Sequence, residues 1–70
     1  MTYFDYHAKA RSLINTGHCV EAEIVHKYKD ISPALILYFD NHIPMPIRLY
    51  RFDEYLELLK CYDVKVEYKI

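Results

Sequence analysis

Glycine is almost missing from this chain, and so is any excess of positive charge. One glycine in 70 residues leaves no glycine-rich loop of the kind that cradles phosphates. Nine Lys and Arg stand against ten Asp and Glu, a formal net charge of −1. A sequence-independent binder of nucleic-acid backbone needs a basic surplus, so nucleic acid is not an expected partner. Two cysteines are too few for a disulfide framework in a secreted chain of this size. The longest apolar run has six residues, Ala34 to Phe39, far short of a membrane span. The first residues, Met1 to Tyr6, lack the basic start and apolar core of a signal peptide. These absences together predict a cytoplasmic protein with reduced thiols and no membrane association.

What is present is a globular balance. Hydrophobic residues make up 53% and charged residues 27%, which separates the chain from disordered sequences. A domain of this length buries only about 60% of its unfolded surface. Its stability sum therefore lies near zero unless something is added. Eight tyrosines and three phenylalanines supply large rings, and each Tyr keeps a polar tip for water or a hydrogen bond. Such rings enlarge a small core or furnish an interface.

Residues 3–15 read as a helix. Tyr3, Tyr6, Ala10, Leu13 and Ile14 recur at helical spacing, with Thr2 as N-cap, Asp5 in the capping-box position and Gly17 as C-cap. Phe4 and Ala8 lie off that inward stripe. Val20, Ala22, Ile24 and Tyr28 then alternate with Glu21, Glu23 and Lys27, a half-buried strand. Residues 34–39 form a second strand with no polar alternation, so both of its faces should be covered. Asp40, Asn41 and His42 suit a turn. Ile43, Met45 and Ile47 alternate with Pro44 and Pro46, and prolines confine a strand to a sheet edge.

A second helix begins near residues 50–52, with Asp53 and Glu54 in its first turn and Phe52, Tyr55, Leu56 and Leu59 inward. Leu58 and Tyr62 widen that arc. The alternation from Val64 to Ile70 predicts a fourth strand, with Val64, Val66, Tyr68 and Ile70 inward and Lys65, Glu67 and Lys69 outward.

The expected fold is therefore α+β, one domain over residues 1–70 in the order α-β-β-β-α-β. Two hairpins and one helical crossover give a four-stranded, mostly antiparallel sheet in the order 3-2-1-4, with both helices on one face. Glu21 and Glu23 should then meet Lys65 and Lys69 on the outer face. The same parity exposes an apolar patch at Ile36 and Tyr38, with Val25 beside them.

Candidate chemistry is sparse. His18 and Cys19 are adjacent on a strand and point to opposite faces, which prevents a nucleophile–base pair. His7, His18, Cys19, His26, His42 and Cys61 show no ligand spacing, and His18 and His26 are about 26 Å apart along an extended chain. A Cys19–Cys61 bridge is open geometrically but not expected in a reducing compartment. Asp53 and Glu57 share the polar side of helix 2, where a solvated pair is the plain reading. Arg48 and Arg51, just before that helix, could bind a phosphate or carboxylate with His42, or could simply pair with Asp53 and Glu54.

Three expectations about function follow. The first is a non-enzymatic interaction or regulatory domain, homodimeric or joined to another protein through Val25, Ile36 and Tyr38. The second is a nucleic-acid or phosphate-ligand module using Arg48 and Arg51, with His42 beside them and surface tyrosines as stacking platforms, and the net charge of −1 counts against it. A small enzyme with its site in a dimer cleft ranks last. No cofactor is expected.

Overall fold

A computed structural model describes the backbone of residues 3–69 and the side chains of residues 5–69. Helix α1 spans Tyr3–Asn15 and is followed by β1 (Cys19–Val25), β2 (Ala34–Phe39) and β3 (Met45–Arg48). A 3-10 turn over Leu49–Arg51 leads into α2 (Phe52–Cys61), and β4 (Val66–Tyr68) completes the fold. The sheet order is β3-β2-β1-β4. β2 is antiparallel to β1 and β3, and β4 is parallel to β1, reached through the α2 crossover. This is the expected α+β domain. The Thr2 cap, the side chains of Tyr3 and Phe4, and Ile70 lie outside the described residues.

One core unites the inner sheet face with both helices. Ala10 and Ile14 of α1 and Phe52, Tyr55 and Leu59 of α2 pack on Ala22, Ile24, Leu35, Leu37, Phe39, Met45 and Ile47. Both helices end in the same way. The Gly17 N–H donates to Ile14 and the His18 N–H to Leu13, while Gly17 takes a φ of +81°. At α2 the Asp63 N–H donates to Lys60 and the Val64 N–H to Leu59, with Asp63 at a φ of +59°. Each pair is a Schellman cap, which satisfies the last carbonyls and turns the chain into the next strand.

Four side chains depart from the expected alternation. A bulge between Cys19 and Glu21 puts Cys19 in the core and leaves Val20 exposed, because the extra residue shifts the parity. β1 stops at Val25, so Tyr28 belongs to the connection and not to the strand. Ile43 precedes β3 and is 82% exposed, since the strand begins only at Met45. Tyr68, expected inward, is exposed because three-residue β4 forms the sheet edge, beside α2 of only ten residues.

The outer face also departs from expectation. Glu23 does meet Lys69, at 3.3 Å, and the Tyr38 hydroxyl donates to Glu23 at 2.6 Å. Ile36, however, is only 2% exposed within the single chain. Its neighbours on that face are Ala34 and Tyr38 along β2 and Glu23 and Pro46 across the ladder. The expected exposed patch at Ile36 is therefore closed from within, and Val25 and Tyr38 are themselves half-buried.

Candidate anion-binding groove

The sheet edge at β3 is unusual in what it withholds. Pro44 and Pro46 carry no backbone N–H. The Pro46 carbonyl accepts a hydrogen bond from the Tyr6 hydroxyl at 2.8 Å, which ties α1 to this edge. Burial, followed by the neighbouring Tyr55 and Tyr28, pushes the Tyr6 hydroxyl up to about 12, so it stays a donor. An incoming strand finds little of the ladder it would need.

Between α1 and this edge runs a groove of about 580 Å³. Its apolar wall is Ile31, Ile43, Met45 and the rings of Pro44 and Pro46. Around that wall stand Lys9 from α1, Lys29 from the β1–β2 connection and Arg48 from the end of β3. His7 and His42 also line it, as do the rings of Tyr6 and Tyr50. No Asp or Glu does. A chain with ten acids thus presents a cavity whose formally charged walls are all cationic.

The base of the groove is set by His7. Helical spacing puts it on the inward stripe, four residues after Tyr3 and three before Ala10, but a histidine gives no apolar signal there; it is 6% exposed. Its Nδ1 lies 2.7 Å from the Tyr55 hydroxyl, so two helices share one buried polar contact. Burial lowers the imidazole pKa from its ordinary 6.5, helped by the nearby Arg51 and Arg11 and opposed by Glu54. The ring is therefore held neutral.

The three predicted anion-binding residues separate in space. His42 and Arg48 both line the groove. Arg51 does not. Its guanidinium lies 3.0 Å from Glu54, which also holds Arg11 at 3.0 Å. The 3-10 turn over Leu49–Arg51 leads Arg51 to the start of α2, where Glu54 holds it. Of the two readings open for this pair, Arg51 follows the ion-pair one and Arg48 the cavity one. Lys9 and Lys29 were missed. Each is an ordinary solvated lysine in sequence, and only the folded chain sets them around one space.

The remaining candidates are placed elsewhere. His18 Nδ1 lies 3.2 Å from Asp40, pinning the turn after β2 to the start of β1. The buried Cys19 thiol donates to the Glu21 carbonyl at 3.6 Å, and burial pushes its pKa up to about 11, which suppresses the thiolate. Cys61 is exposed, and both thiols are free. Asp53 and Glu57 lie on the solvated side of α2 beside Lys60. Among the described residues no cluster of His, Cys, Asp and Glu is placed to hold a metal ion, and no helix there is long and apolar enough to cross a membrane. The chain matches no known family, no curated protein and no solved structure.

Proposed function

We propose that this chain is a non-enzymatic binding domain that captures an anionic ligand in the groove between α1 and β3. The observation that carries this reading is the sign of the lining. Lys9, Lys29 and Arg48 border an apolar wall with no carboxylate among them. A concave, mostly apolar space with a few convergent polar groups is the usual form of a small-ligand site. No nucleophile–base pair lines it, so binding and not turnover is the reading it supports.

Self-association through the outer sheet face has less to draw on. Ile36, which would centre that interface, is sealed within one chain.

The test is a pair of dyes that share their rings and differ in charge. Titration of the isotopically labelled chain with 8-anilinonaphthalene-1-sulfonate should move the backbone amides of Lys9, Lys29 and Arg48 together. N-phenyl-1-naphthylamine, its uncharged counterpart, should move them far less at equal concentration. Equal responses to the two dyes, or shifts confined to another surface, would overturn the reading.

A further inference from the structure

The groove is bordered by one residue that the backbone holds at a local penalty. Tyr28 and Ile31 exchange both backbone hydrogen bonds, at 2.8 and 3.0 Å, which makes Lys29 and Asp30 the two central residues of a tight turn. Lys29 takes a φ of +56°. Glycine, or failing that Asn or Asp, normally occupies such a position, because a Cβ crowds the following carbonyl there. Lysine has no side-chain group that offsets this by bonding its own backbone. Strained non-glycine residues are concentrated where a side chain has a task.

Lys29 lines the groove, and its Nζ lies 5.5 Å from the centre of the Tyr28 ring. Arg48 stands on the same wall of the fold, at the far end of β3 from Ile43. Between them lies apolar surface and not backbone ladder. Pro44 and Pro46 offer no N–H, and Tyr6 occupies the Pro46 carbonyl. An extended acidic peptide would find little here to pair its main chain with. A nucleic acid would need a longer run of cations than three around a cavity of about 580 Å³. The space and its lining suit a molecule with an apolar body and one anionic head.

Resting on the binding reading above, we infer that the ligand class is a small amphiphilic organic anion, with Lys29 as the residue that selects its charge. The apolar body lies on Ile31, Met45 and the proline rings. The head meets Lys29 and Arg48. The turn holds Lys29 in a glycine-type conformation because the cation is wanted in the groove.

The experiment measures binding and melting temperature for wild type and three variants, with 8-anilinonaphthalene-1-sulfonate as the probe at low salt. Lys29→Arg should bind like wild type. Lys29→Met, which keeps the strain and removes the charge, should bind about tenfold more weakly at an unchanged melting temperature. Lys29→Gly should lose the same affinity and melt no lower than wild type, since it relieves the backbone. Wild-type binding that is absent, or no stronger than that of N-phenyl-1-naphthylamine, sinks the parent reading as well. Wild-type binding that Lys29→Met and Lys29→Gly retain in full leaves the groove standing and removes Lys29 from it. A fall in melting temperature for both variants makes Lys29 a structural prop through its Tyr28 contact and overturns the inference. Displacement of the dye by hexaglutamate or a ten-residue oligothymidylate at equal concentration overturns the ligand class.

Discussion

The two edges of this sheet are built from opposite charge. At β3 the groove holds Lys9, Lys29 and Arg48 without an acid. At β4 the cavity of about 540 Å³ against α2 holds Asp53, Glu57 and Asp63 around a single Lys60. A net charge of −1 averages over both and describes neither. The contrast extends to how each edge is protected. β3 is blunted by proline and by the Tyr6 hydroxyl. β4 is short and dressed in ion pairs, with Lys69 between Glu23 and Glu67 and Lys65 on Glu67. Charged edges and proline edges both discourage strand pairing, but only the proline edge leaves an apolar space beside it. Overall charge is thus a weak guide to ligand sign in a domain this small, because the fold sorts its charges by edge.

The sharpest way to break this comparison is to reverse one charge at each edge. Arg48→Glu should weaken the sulfonate dye by roughly 10- to 100-fold, the worth of one charge-assisted contact. Lys60→Glu, at the other edge, should leave the affinity unchanged. Equal losses in the two titrations would show that the dye responds to net charge and not to the groove.

The two edges are joined through the buried contact between α1 and α2. Tyr55→Phe removes the hydroxyl 2.7 Å from His7 Nδ1, and should destabilise by about 1–3 kcal/mol in urea unfolding. The same imidazole sets the pH response. Its folded pKa lies below the ordinary 6.5, so the unfolded chain takes up the proton first. Stability should be fully present above about pH 6.5 and be lost as pH falls below it. Melting curves at pH 7.5 and 5.5 should show that slope in wild type and a flatter one in His7→Phe.

On the β4 side the effect should be smaller. Glu23→Gln removes an acceptor from Tyr38 and the partner of Lys69, and should cost about 1 kcal/mol, limited by the exposure of the lysine. The Tyr38 hydroxyl bond, with Lys69 behind it, holds the Glu23 carboxyl below its ordinary range. That contribution is present at neutral pH and fades as pH falls through the carboxylate range, and Glu23→Gln should show less of this acid loss.

The smallest predicted effect concerns the two helix ends. Gly17 and Asp63 occupy the same left-handed cap position. Asp63→Gly should therefore gain about 0.5 kcal/mol at the α2 end. Gly17→Ala should lose about 1 kcal/mol on conformation alone, because a Cβ at Gly17 meets nothing within 4 Å. Chemical denaturation of both variants checks the pair.

Much of the architecture was legible in particular residues. The stripe of Ala10 and Ile14, the cap at Gly17, the inward Ala22 and Ile24 and the two prolines near the edge each stated a local preference that the fold kept. The errors arose where a neighbour decided. A bulge moved Cys19 inward and Val20 out. Tyr38 bonded to Glu23, and Ile36, its neighbour on that face, was buried within the chain. Half of the candidate site was visible as His42 and Arg48. Arg51 looked equivalent to Arg48 and was separated from it by one 3-10 turn. Lys9 and Lys29 carried no signal at all.

Periodicity, capping residues and strand parity by themselves determined the elements, their order and the sheet they form, because these are short-range consequences of backbone geometry. Which cations share a cavity, which apolar face is sealed and which acid each arginine meets were decided only by the tertiary structure. Those outcomes depend on side chains far apart in sequence being brought within a few ångströms, and no local preference encodes that distance.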